Sequence, residues 1–84
     1  MFIVYLLQSE MDGSYYVGYT SDIDRRLQEH NDGKSRYTSK KVPWKLVYTE
    51  VHTSKHDALI RERFLKAQRN RKFYEGLKRI GEVG

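Results

Sequence analysis

With 84 residues, 38% of them apolar and 32% charged, the chain has material for one modest core and is expected to form a single domain over 1–84. The absence of cysteine excludes a disulfide framework and a thiolate metal site. The net charge of +5 is unevenly placed: residues 1–32 hold two basic and six acidic side chains, residues 33–79 fourteen basic and four acidic. Positive charge gathered in one part of a chain favours a polyanion, most often a nucleic acid. The apolar start, Met1–Gln8, is too short to cross a bilayer and lacks the basic lead of a signal peptide. A cytoplasmic protein with no membrane partner is therefore expected.

Phe2–Leu7 is aromatic and β-branched without a breaker, and so predicts a strand covered on both faces. Asp12-Gly13 predicts a turn, and Tyr15–Thr20 a second strand closing an antiparallel hairpin. Gly18 inside that strand marks a bulge or a close backbone approach. Ser21 with Asp24 resembles a capping box opening a helix that Asp32-Gly33 ends. The basic stretch 33–43 predicts a loop with room for a helical turn. Trp44–His52 alternates as a third strand, with Trp44, Leu46 and Tyr48 on one side. Thr53 or Ser54 caps a helix to about Arg69. A last helix spans about 71–79, with Phe73, Leu77 and Ile80 as its apolar stripe and Gly81 as its end. The order β-β-α-β-α-α predicts an α+β domain, a small three-stranded antiparallel sheet flanked by helices.

Glu62 shares a narrow helix face with Ala58 and Leu65, which turns its carboxylate toward apolar neighbours. A carboxylate so placed needs a cation or a metal. The competing reading is an exposed Glu62–Lys66 pair at i,i+4, worth only ~0.2–0.5 kcal/mol. Arg26 and His30 lie four apart on the helix face of Ile23 and Leu27, suited to clamp a phosphate and move a proton; in isolation the pair reads first as a rim arginine and a half-buried histidine. Arg25 points elsewhere. Tyr5 and Tyr16 fall on adjacent strands. Either phenol could accept a proton from an attacking water only if a nearby cation lowers its pKa from ~10. Lys34, Arg36, Lys40, Lys41, Arg63 and Lys66 are the candidate nucleic-acid contacts, with Tyr37 able to stack on a base. His52 and His56 straddle a strand–helix junction and are discounted as a metal pair.

Taken together, Ile3-Val4-Tyr5, Tyr16-Val17-Gly18, Arg26 eight residues beyond Gly18, His30 and Glu62 resemble the GIY-YIG endonuclease superfamily, in particular its small single-domain bacterial members. The resemblance runs from Ile3 to about Leu77. It implies hydrolysis of DNA phosphodiesters with one divalent metal, Mg2+ or Mn2+. On that resemblance Glu62 holds the metal, Tyr5 or Tyr16 orients or deprotonates the water, Arg26 stabilises the developing charge, and His30 assists in proton traffic or holds the phosphate. Tyr19 stands where some relatives carry lysine, and Tyr74 near where some carry asparagine. Substrate choice then falls to DNA structure, with branched or damaged DNA as candidates, to a protein partner, or hardly to anything, the DNA being taken without regard to sequence. The alternative expectation is a nucleic-acid-binding module that keeps the fold with little activity.

Overall fold

A computed structural model of the chain describes residues 1–83. The elements are β1 (Phe2–Ser9), β2 (Tyr15–Thr20), α1 (Ile23–Asn31), a 3-10 turn at Ser39–Lys41, β3 (Trp44–His52), α2 (Lys55–Gln68) and α3 (Arg71–Val83). The three strands make one antiparallel sheet in the order β2-β1-β3, the α+β arrangement expected. Among the described residues no helix is long and apolar enough to cross a membrane.

β1 is central because it is apolar on both faces, and Val4 to Leu7 are no more than 1% exposed. Val4 and Leu6 pack with Val17, Ala58, Leu65 and Leu77, which seats α2 and α3 on one face. Tyr5 and Leu7 pack on the other face with Trp44, Ile23 and Leu27, which seats α1. At roughly 25 cal/mol per Å2 of apolar surface removed from water, these two clusters supply most of the drive to fold.

Three expectations are corrected. Asp22, not Ser21, caps α1: its backbone is extended and its carboxylate accepts from the Arg25 N–H, satisfying a donor that the helix leaves free. The alternation expected along β3 is broken at a bulge. Leu6 faces Tyr48 while Leu7 faces Leu46, so Val47 is the extra residue, and Tyr48 moves to the face opposite Trp44 and Leu46. Finally, α3 continues through Gly81 to Val83, and Ile80 is 61% exposed rather than part of the stripe. Gly81 is needed for contact, not for stopping. A Cβ there would run into the Val47 carbonyl oxygen, so the glycine lets the helix lie directly on the bulge. Of the two possible caps of α2, Ser54 is the one used, accepting from the Asp57 N–H at 3.1 Å.

Candidate active site

The hairpin sets Tyr5 opposite Gly18. The phenol ring lies over the glycine, and a Cβ at that position would sit 2.6 Å from the ring carbon that bears the hydroxyl. The strand glycine is thus the close approach the sequence suggested, and it fixes where the Tyr5 oxygen stands. Gly18→Ala is expected to cost about 1–3 kcal/mol, the usual penalty of overpacking, and to displace the phenol. A thermal melt of that variant superimposing on the wild type would contradict this packing.

From the other side, α1 presents Arg26 and His30 as its spacing predicts. His30 is wholly buried, more than the half-burial expected of a rim histidine. Its Nε2 lies 2.9 Å from the Tyr5 hydroxyl and its Nδ1 2.7 Å from Thr38 Oγ1. Both nitrogens are therefore committed within the protein, and the ring stands beside Tyr5 rather than on the surface. Burial first, and then the charge of Arg26, hold the imidazolium down to about 4. His30 is neutral near neutrality. The unfolded chain binds a proton near the ordinary value of 6.5 that the folded chain refuses. Stability is thus complete above about pH 6.5 and falls by roughly 3 kcal/mol as the pH drops toward about 4. Urea midpoints across that window measure the loss, and a midpoint that stays constant would contradict a buried neutral His30.

Arg26 is a third exposed, donates from Nη1 to Glu29 Oε1 at 3.1 Å, and approaches the Tyr5 hydroxyl. Burial pushes the Tyr5 phenol up to about 12, against the pull of Arg26. Arg25, by contrast, has a side chain 76% exposed and lies in solvent as expected.

α2 brings the carboxylate. Ala58 and Leu65 are fully buried, and Glu62 between them has a side chain only 13% exposed. Its position is set by its neighbour: Arg61 Nε and Nη2 grip Glu50 of β3 at 2.8 Å, so Arg61 serves as an anchor of α2 and not as part of an open basic face. The charge of Glu62 acts on the Tyr5 phenol and helps keep it protonated. The expected i,i+4 pair is also present, with Lys66 Nζ 3.5 Å from Glu62 Oε2. The same ammonium stands 5.7 Å above the Tyr16 ring, and Tyr16 meets His30 edge-on at 5.2 Å. The pair is therefore formed, but by a largely buried carboxylate rather than an exposed one, and Tyr5, Tyr16, Arg26, His30 and Glu62 gather at one place from β1, β2, α1 and α2.

A family model described as the GIY-YIG catalytic domain matches residues 1–75. The chain belongs to the GIY-YIG family. A UPF0213 protein of Streptococcus pneumoniae serotype 4 is 45% identical over 67 residues, covering 79% of this chain and 67% of that protein. A UPF0213 protein of Bacillus cereus is 44% identical over 72 residues, covering 84% and 74%. Among solved structures, the solution NMR structure of a UPF0213 protein from Bacillus halodurans superposes with a TM-score of 0.59 at 38% identity, covering 96% of this chain and 87% of that one. The GIY-YIG assignment brings a nuclease-type fold.

GIY-YIG proteins typically use a divalent metal, and the donor set here can be tested for it. Among the described residues no three of His, Cys, Asp and Glu cluster. The site offers one carboxylate and two phenol oxygens. Such a set does not cage zinc, but it suits a hard ion that keeps most of its waters and takes one carboxylate plus substrate phosphate oxygens. Lys66, with a side chain 49% exposed, can leave Glu62 at little cost. The residues present fit Mg2+ or Mn2+.

The basic candidates are not one group. Lys34, Arg36 and Lys40 are exposed in the loop after α1, as is Tyr37 at 81%, and Arg63 is exposed on α2. Lys41 is instead committed to the β1–β2 turn, 3.2 Å from Asp12 Oδ2 and bonded to Ser14 Oγ. Residues that sequence reasoning passed over hold the site from behind. The Asn31 side chain clamps both the N–H and the C=O of Trp44, and the Trp44 indole donates to the Thr38 carbonyl at 2.9 Å. No spacing signals these contacts; a buried threonine in a basic loop has no pattern of its own.

Proposed function

We propose that the chain is a divalent-metal-dependent endonuclease that hydrolyses phosphodiester bonds of DNA in the cytoplasm, selecting substrates by DNA structure or through a protein partner. The observation that carries this reading is the convergence of Tyr5, Tyr16, Arg26 and His30 with the inward carboxylate Glu62 in a GIY-YIG domain. Glu62 is the residue that holds Mg2+ or Mn2+. When bound, the ion supplies Lewis acidity to the phosphoryl group and favours ionisation of nearby oxygen acids.

The chain's own residues do the rest. A water oxygen bonds to phosphorus, one P–O ester bond breaks, and the departing sugar oxygen takes a proton from solvent water. Tyr5 or Tyr16 receives the proton of the attacking water. A phenol at about 12 cannot do so unaided at neutral pH, so for Tyr5 the cation beside it is a requirement of the mechanism. Arg26 stands where negative charge builds on the phosphoryl oxygens. His30, neutral and bonded to the Tyr5 oxygen, takes part in the proton balance there. Lys34, Arg36, Lys40, Arg63 and Lys66 supply sequence-blind attraction to the backbone, which weakens steeply with salt.

The test is a panel of labelled linear, flapped and branched DNAs incubated with Mg2+, Mn2+ or chelator. Metal-dependent cleavage, absent with chelator, is the expected result, and the preferred shape names the substrate. The buried, high-pKa Tyr5 and the ammonium already beside Glu62 favour a second reading, a binding module without turnover. Salt-sensitive gel shifts with every DNA left intact would select it.

A further inference from the structure

Two carboxylates meet α2, and they are almost equally hidden, with side chains 15% exposed at Glu50 and 13% at Glu62. Their partners differ greatly. Glu50 is saturated: Arg61 donates to it from Nε and Nη2, each at 2.8 Å, the Tyr48 hydroxyl donates at 2.6 Å, and the His52 ring lies at 3.2 Å. Among the described residues the ion pair of Glu62 is with Lys66 alone, at 3.5 Å. That distance exceeds the roughly 2.7–2.9 Å of a charge-assisted hydrogen bond.

A carboxylate taken out of water needs strong partners, because its unserved lone pairs cost free energy. The chain meets that need at Glu50 with a fixed arginine fork. At Glu62 it supplies one loose ammonium on a side chain 49% exposed. Lysine is also the cation most readily given up, a compact and strongly hydrated charge on a flexible stem. The same ammonium lies 5.7 Å above the Tyr16 ring, within cation–π reach, so leaving the carboxylate does not strand it.

We propose that Lys66 is a displaceable counter-cation of Glu62: it neutralises that carboxylate in the metal-free protein, competes with the divalent ion for it, and is released when the ion binds. The proposal rests on the reading of Glu62 as the metal-holding residue. Two cations at contact distance from one carboxylate repel each other. By linkage, the pair weakens metal binding by the same factor by which the metal weakens the pair. Lys66 thus sets the metal affinity of the site, and it joins the basic surface offered to DNA only once the ion has taken Glu62.

The experiment is a titration of the metal-free protein with Mn2+, the unbound ion followed by its paramagnetic resonance, in wild type, Lys66→Met, Lys55→Met and Glu62→Gln. Lys66→Met keeps the apolar stem and removes the charge. Lys55→Met removes the same charge from the exposed start of the same helix. Lys66→Met is expected to bind Mn2+ about threefold tighter than wild type, the size of a loose surface pair, and Lys55→Met to stay within about 1.5-fold. In wild type alone, the Lys66 side-chain NMR signals are expected to move on saturation with Mg2+ to the positions they take in metal-free Glu62→Gln, where the pair is absent. Equal or weaker Mn2+ binding in Lys66→Met overturns the proposal, and so does an equal gain in Lys55→Met. Lys66 signals that stay in place on saturation with Mg2+ overturn it without recourse to any Lys66 variant. Mn2+ binding that is lost in Glu62→Gln keeps the metal reading whichever way Lys66 falls; equal binding in wild type and Glu62→Gln removes that reading and the proposal together.

Discussion

Glu62→Gln is expected to lower the cleavage rate by at least about a thousandfold while leaving folding and DNA binding close to wild type. The size follows from the site: the charge of the largely buried Glu62 acts on Tyr5, and loss of a metal-held electrostatic interaction typically costs several kcal/mol of barrier. The near-neutral effect on folding follows from the same geometry. Glutamine keeps the side-chain volume between Ala58 and Leu65, and the pair it abolishes, at 3.5 Å to a half-exposed Lys66, contributes at most about 1 kcal/mol. Kinetics beside a urea melt and a gel shift separate the two. A variant that cuts normally, or one that unfolds, would make Glu62 a structural residue.

Arg26→Ala gives the second largest effect. It should reduce turnover about 100- to 1,000-fold, the cost of losing a preorganised donor where charge develops. Two features place it there: its approach to the Tyr5 hydroxyl, and a side chain one-third exposed at the site's edge. Its removal also takes away the cation that pulls against burial at Tyr5, so the phenol becomes harder to ionise. Arg25→Ala is the internal control. Arg25 is 76% exposed and reaches only Glu29 at 3.5 Å, so its loss should alter the rate by no more than about threefold. Equal losses in the two variants would mean that both arginines act only as part of a diffuse positive surface.

How far the sequence was legible depends on whether a feature is local. β1, β2 and the start of α2 follow from composition, turn residues and caps, all properties of a few neighbouring residues. Arg26 with His30, and Glu62 with Ala58 and Leu65, follow from helical periodicity, and the fold brings Arg26, His30 and Glu62 to bear on the Tyr5 phenol. What escaped depends on elements meeting. Val47 bulges where β3 pairs with β1 and Gly81 lies against its carbonyl, and neither residue signals this alone. Gly81 therefore read as a helix end when it is a helix contact. Lys41 read as a free cation because Asp12, which holds it, lies far off in sequence. Thr38 and Asn31 were invisible for the same reason, and they are what hold His30 and Trp44 in place.

The central claim is that Glu62 holds the metal at the point where Tyr5, Tyr16 and Arg26 converge. The most direct measurement is a titration of the labelled protein with substoichiometric Mn2+, following paramagnetic broadening of amide signals in wild type and in Glu62→Gln. Broadening centred on Glu62 and reaching Tyr16 and Arg26 across the chain, and lost in Glu62→Gln, is the predicted result. Broadening that is unchanged in the variant, or that centres on other acidic residues such as Asp22 and Asp24, would contradict it.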